Sequence, residues 1–142
     1  MNLRSYTAGD LMTKNVCTID GTASLREAVA KMHSERVQGL IVPPRNKGDG
    51  YGIITVKDII GLIDTEGDDD DVLAELADMA VVDAMTRPVI CTQEGLGAHD
   101  CTSLMRMTGV RRLIVLRGEE MVGILSYTDI FNLIAQPSAQ PV

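Results

Sequence analysis

The second half of this chain repeats the first, and that repetition limits the possible folds more than any other feature of its 142 residues. Asp10, Met12, Thr13 and Val16 recur as Asp83, Met85, Thr86 and Val89. Met32, Val37, Leu40, Ile41 and Val42 recur as Met105, Val110, Leu113, Ile114 and Val115, and all nine pairs lie 73 residues apart. The spacing then falls to 71: Gly52, Ile53, Asp58, Ile59, Leu62 and Ile63 return as Gly123, Ile124, Asp129, Ile130, Leu133 and Ile134. The slip falls between Pro43 and Tyr51, in a Pro-Pro-Arg-Asn-Lys-Gly-Asp-Gly run with the composition of a turn, where insertions collect. A fixed period with one slip inside a turn marks a duplicated structural unit.

Each half carries the same alternation of elements. A short strand (Val16–Ile19; Val89–Thr92) precedes a helix. In the first half Ser24-Leu-Arg-Glu27 reads as a capping box, with Leu25, Ala28, Val29 and Met32 on one helical face. Gly95 and Gly97 weaken the second copy of that helix start. Two apolar strands joined by a turn follow (Leu40–Val42 with Gly52–Ile54; Leu113–Leu116 with Val122–Leu125), and a closing helix begins at Thr55 and again at Ser126. Between the halves, Asp58 to Asp83 holds ten acidic residues and no basic one. The consecutive Asp68–Asp71 lack the alternating acids of an EF-hand loop; they suit the positive end of a helix over Val72–Ala80, in an otherwise solvated linker. The expected organisation is an α/β chain with a first domain at 1–64, an acidic linker and helix at 65–80, and a second domain with a short tail at 81–142.

Composition excludes several functions. Thirteen Lys and Arg against twenty Asp and Glu give a net charge of −7, unsuited to a phosphate backbone or an anionic membrane, so neither nucleic acid nor membrane is an expected partner. With no Trp and 3% aromatic residues, the core must come from aliphatic side chains and Met. Cys17, Cys91 and Cys101 lack the paired spacing of a disulfide framework or zinc site and read as small buried side chains in a reducing compartment. Met1–Asp10 has no apolar signal core, and no apolar run approaches the ~20 residues of a membrane helix, so a cytoplasmic protein is expected. Gly48-Asp-Gly50-Tyr-Gly52 leads into a strand and reads as a hairpin turn rather than a phosphate loop. His33 and His99 stand without ligand-spaced partners, and no nucleophile–base pair or metal ligand set is visible.

The sharpest constellation is Gly52-Ile-Ile-Thr55-Val-Lys-Asp58 with its copy Gly123-Ile-Leu-Ser126-Tyr-Thr-Asp129. Each sets a hydroxyl and a carboxylate three residues apart on the first turn of a helix leaving a strand. One reading is local: an N-cap with an acid at the third helical position. The other is a ligand site, since helix N-termini bind phosphate and a fixed carboxylate accepts both hydroxyls of a ribose. Tyr127 could stack on such a ligand or stand exposed.

The twin G-x-x-[ST]-x-x-D blocks, each half opened by Asp-x-Met-Thr, resemble the CBS-domain pair (Bateman module) from about Ala8 to Ile134. The resemblance implies tandem CBS domains, each a small sheet with flanking helices, packed about a pseudo-two-fold axis with clefts between them. It implies an adenosine ligand there, such as AMP, ADP, ATP or S-adenosylmethionine, acting as a regulatory ligand, with no cofactor required. Asp58 and Asp129 then take the ribose role, with Thr55 and Ser126 beside them. In the resemblance adenine is held by the half opposite the ribose-binding Asp: Thr18 and Ala23 match those positions for Asp129, whereas the second half has Cys91 and Leu96 for Asp58. Arg111 and Arg112 match the basic residues before the second strand, whereas the first half has Gln38 and Gly39. Both departures favour the Asp129 site. The arginines could equally be solvated or paired with the acidic linker. The expected function is a non-enzymatic sensor of adenine nucleotides that acts on a separate regulated protein; the alternative is a ligand-free dimerisation or docking module. Ile60 and Phe131, in closing helices too apolar for one buried face, are expected to point outward and join a homodimer, unless Val72, Leu73 and Leu76 fold back to cover them.

Overall fold

The structure, a computed structural model, describes residues 3–46, 49–63, 69–86 and 89–136. In chain order the elements are α1 (Ala8–Leu11), α2 (Leu25–Glu35), β1 (Gly39–Val42), β2 (Gly52–Thr55), α3 (Val56–Ile60), α4 (Asp69–Asp78), α5 (Val81–Ala84), β3 (Cys91–Gln93), α6 (Ala98–Thr108), β4 (Arg112–Arg117), β5 (Glu120–Ser126) and α7 (Tyr127–Ala135). The fold is α/β, as the sequence implies. The chain forms two compact units: a central unit, Cys17–Val89, and a terminal unit that joins Met1–Val16 to Ile90–Val142.

In the central unit β1 and β2 pair antiparallel, Leu40 opposite Ile54 and Ile41 opposite Ile53. The strand expected over Val16–Ile19 shrinks to one parallel bridge, Thr18 to Ile41, closed by hydrogen bonds from Ile19 N–H to Ile41 O and from Ile41 N–H to Cys17 O, each 2.9 Å. The pairing stops there because Asp20 turns the chain: its Oδ1 accepts from Thr22 N–H at 2.7 Å and Thr22 Oγ1 at 2.6 Å. Ser24 Oγ caps α2 by accepting from Glu27 N–H at 3.1 Å. Leu25, Ala28 and Met32 of α2 then pack on Leu40, Val42, Ile54, Ile59 and Val81 in an aliphatic core. The acidic helix begins earlier than expected and buries Leu76 in the same core.

The terminal unit is a three-stranded sheet, β3 parallel to β4 and β4 antiparallel to β5. Its first strand lies a little beyond the expected Val89–Thr92. Gly97 gives α6 no side-chain cap, as the glycines there predict. Ala98, Cys101 and Met105 nevertheless bury against Leu113, Val115, Leu125 and Ile130. Tertiary packing thus outweighs the poor helix start.

The units of packing differ from the units of repetition. Ala8, at the opening of the first repeat, is buried in the terminal unit's core, and Val81, at the opening of the second, is buried in the central unit's core. Thr13 bridges Ile124, and Thr86 bridges Ile53. The Asp-x-Met-Thr signature and the glycine of each G-x-x-[ST]-x-x-D block are therefore one packing device. A Cβ on Gly123 would sit 2.6 Å from Met12 Sδ and 2.8 Å from Thr13 O; on Gly52 it would sit 2.5 Å from Met85 Sδ. A thioether can swing aside, whereas a bridged carbonyl cannot move without breaking its pairing. Gly123→Ala should therefore cost about 1–3 kcal/mol, the usual range for overpacking, and Gly52→Ala less. Urea denaturation of both variants checks the order.

Among the described residues no helix is long and apolar enough to cross a membrane. Burial raises the thiol pKa of Cys91 and of Cys101, which suits packing rather than thiolate chemistry.

Candidate ligand site

The two hydroxyl–carboxylate blocks adopt the same geometry. In the central unit Thr55 Oγ1 accepts from Asp58 N–H at 3.2 Å, while Asp58 Oδ2 accepts from Thr55 N–H and Thr55 Oγ1, both at 2.9 Å. In the terminal unit Ser126 Oγ accepts from Asp129 N–H at 3.2 Å, and Asp129 Oδ2 accepts from Ser126 N–H at 2.9 Å and Ser126 Oγ at 3.1 Å. Both are reciprocal capping boxes. The local reading of these residues is thus realised, and it leaves the second carboxylate oxygen, Oδ1, for other partners. Asp129 Oδ1 accepts from Thr13 Oγ1 at a long 3.3 Å. Asp58 Oδ1 has no partner among the described residues. Both carboxylates are half-buried.

Strand register sets what stands beside each helix start. Arg112 is directly opposite Ser126, and Arg111 O accepts from Tyr127 N–H at 3.0 Å. Gly39 is opposite Thr55, and Gln38 O accepts from Val56 N–H at 3.0 Å. Arg111 and Arg112 thus occupy the same places as Gln38 and Gly39, and the cationic pair belongs to one unit alone. Both arginine side chains are exposed, as is Tyr127. Thr18 bridges Ile41 and Cys91 pairs with Ile114, its repeat mate, so these positions are equivalent too. Lys31 Nζ donates to Thr18 O, and Ala23 packs against the central core.

Thr18, Ala23, Thr55 and Asp58 therefore belong to the central unit, and Arg111, Arg112, Ser126 and Asp129 to the terminal unit.

Sequence reasoning missed a third capping box. Thr7 Oγ1 accepts from Asp10 N–H at 3.3 Å, and Thr7 N–H donates to Asp10 Oδ2 at 2.8 Å. A pocket of 350 Å³ is lined by Asp10 and Asp129 together with Tyr6, Asn132 and Gln136. The Thr-x-x-Asp spacing at Thr7–Asp10 was the available signal. Asp20 was also missed: the Thr22 hydroxyl and amide hydrogen bonds hold its carboxyl below the usual range, and its turn shapes the loop between Thr18 and Ala23. Among the described residues no cluster of three or more His, Cys, Asp or Glu is placed to hold a metal ion.

Comparison with known proteins follows the same division into repeats. The chain is 34% identical to a hexameric CBS-CP12 protein from bloom-forming cyanobacteria, with a TM-score of 0.74 over 92% of this chain and 71% of that one. It is 29% identical to an uncharacterized protein of Methanopyrus kandleri, over 92% of this chain and 64% of the relative. It is 27% identical to inosine-5'-monophosphate dehydrogenase of Methanocaldococcus jannaschii, where it spans only 24% of the enzyme. The family description of the CBS domain matches twice, at residues 8–65 and 81–136, each match running from an Asp-x-Met-Thr segment through a G-x-x-[ST]-x-x-D block, and the chain belongs to the CBS-domain family.

Proposed function

We propose that this chain is a sensor of adenine nucleotides whose principal site lies at the start of α7, with Asp129 receiving the ribose hydroxyls and Arg111 and Arg112 receiving phosphate. A CBS pair is in general a regulatory module. The observation that carries the finer reading is the register: a carboxylate fixed by its own cap, with two exposed arginines at the adjoining strand end and at no equivalent place in the central unit. A capped carboxylate is already oriented, so it accepts ligand hydroxyls with little further loss of side-chain freedom. The arginines supply charge-assisted donors suited to phosphate.

The proposed role is non-catalytic. The dehydrogenase relative shares only a quarter of its length with this chain, so its activity is not transferred. Binding instead alters a separate partner protein in a cytoplasmic setting. A ligand that binds only the folded chain stabilises it by RT ln(1 + [L]/Kd), about 2.7 kcal/mol at a hundredfold excess over Kd. Thermal denaturation with millimolar AMP, ADP, ATP and S-adenosylmethionine should therefore show a rise of several degrees in Tm for at least one of them. No rise with any of the four would leave the docking reading standing.

That second reading has an observation of its own. Ile60 is 61% exposed and Phe131 is 66% exposed, so both closing helices present large apolar side chains outward, as expected from their sequences. α4 folds back and buries Leu76, yet Leu73 remains 47% exposed, so the linker helix does not close the surface around Ile60. We propose that these faces join two copies of the chain.

A further inference from the structure

The end of α2 carries a residue that the repeat does not predict. Arg36 caps the helix in the left-handed backbone conformation, φ 56° and ψ 43°, and among the described residues no other non-glycine has a positive φ. Its repeat mate, Gly109, caps α6 at φ 76°. Glycine adopts that conformation freely, whereas an L side chain is strained by its Cβ. The negative end of the α2 dipole favours a cation anywhere in the last turn, so it does not account for one at the cap itself. Nor does an ion pair: those among the described residues are His99–Asp100 and Arg117–Glu94.

Arg36 stands at the rim of a groove of 890 Å³ inside the central unit, between α2, α3 and α4. Ile59 and Leu76 are its buried floor, and exposed Val29, Ile60 and Leu73 are among its walls. The polar residues that line it, His33, Ser34, Arg36 and Gln38, all fall in one short segment at the end of α2, and the rest are apolar. Residues 17–89 hold 14 acidic and 7 basic side chains, yet among the described residues no acid lines the groove. The volume is ordinary for a small-molecule site. An apolar trough with a cation at one end fits an apolar chain with an anion at one end. We infer that this groove binds a long-chain aliphatic carboxylate, its chain along Val29, Ile60 and Leu73 and its head on the Arg36 guanidinium, whose planar fork matches a carboxylate. The inference goes beyond the nucleotide reading and shares no residue with the start of α7, so either can fail alone. Ile60 also belongs to a face proposed to join two copies, and sedimentation reads that question separately.

Titration calorimetry of the full chain with octanoate, decanoate and dodecanoate, each below its micelle concentration, tests the inference. Affinity should rise by up to about fourfold per added methylene. Dodecanol, which lacks the charge, should bind roughly ten- to hundredfold more weakly than dodecanoate. Arg36→Gly should weaken dodecanoate by a similar factor while raising Tm, because glycine relieves the left-handed backbone. Those opposite movements separate a ligand-binding residue from a structural one. Leu73→Glu, at an exposed wall position, should abolish binding, whereas Arg106→Ala removes an exposed arginine of the terminal unit and should leave it unchanged. No binding of dodecanoate, equal binding of dodecanol, or an Arg36→Gly chain that binds as before overturns the inference. A lowered Tm in Arg36→Gly overturns it too, since the arginine would then be held for the fold.

Discussion

Truncating Leu113 to alanine should destabilise the chain by about 2–5 kcal/mol, and truncating its repeat mate Leu40 should cost a similar amount. Both side chains are fully buried at the centre of their units' aliphatic cores. Neither core holds an aromatic ring among its buried members, so each cavity would be lined by branched aliphatics and Met, which close over a lost isobutyl group only in part. In a small domain of ordinary stability, a loss of that size removes much of the margin against unfolding. Urea titration gives the measurement: a lowered midpoint with an unchanged slope, read against Glu119→Ala, which alters an exposed turn and should stay within about 0.5 kcal/mol. A Leu113→Ala loss below that of the turn control would mean that β4 does not carry the core of its unit.

The sequence makes some of this architecture legible and not the rest, for reasons that attach to particular residues. Periods of two and 3.6 are local, so the hairpins, the long helices and the caps at Ser24, Thr55 and Ser126 can be read directly. The strand expected at Val16–Ile19 fails because the hydrophobic pattern there cannot register the Asp20 turn that ends its pairing after two hydrogen bonds. What the repeat cannot reveal is which half each opening segment packs upon, because sequence proximity favours its own half. Ala8 and Val81 instead bury in the unit of the other repeat, and Met12 over Gly123 and Met85 over Gly52 show why each half opens with Asp-x-Met-Thr. At the site, the family resemblance set Arg111 and Arg112 against Gln38 and Gly39, and strand register puts the two pairs at equivalent positions. The place of Tyr6 and Asp10 in the pocket beside Asp129 was not legible, because those residues lie more than a hundred positions from the helix whose Asp129 and Asn132 line it with them.

Asp129→Ala should weaken adenine-nucleotide binding more than Asp58→Ala does. A hydrogen bond to a charged group contributes about 1.5–3 kcal/mol, so the loss at Asp129 should be roughly ten- to hundredfold. The comparison is informative because the caps match. Each aspartate closes a reciprocal box with bonds of 2.9–3.2 Å, so each alanine removes the same helix-start support, and the damage to folding largely cancels between the variants. What differs is the neighbourhood: two arginines at the adjoining strand end for Asp129, Gln38 and Gly39 for Asp58. One feature runs the other way. Asp129 Oδ1 already accepts from Thr13 Oγ1, and ligand must displace that hydroxyl, whereas Asp58 Oδ1 has no described partner to lose. At 3.3 Å between a neutral donor and a carboxylate, that bond is weaker than a ribose hydroxyl held at ordinary distance, so the arginines should prevail. Thr13→Ala isolates this contribution, since it removes the competitor and should tighten binding slightly. Titration calorimetry with the ligand that gives the largest thermal shift decides the order, at a temperature where circular dichroism shows each variant folded. Equal losses at both aspartates would mean that the arginines do not distinguish the two units, and a larger loss at Asp58 would move the principal site to the start of α3.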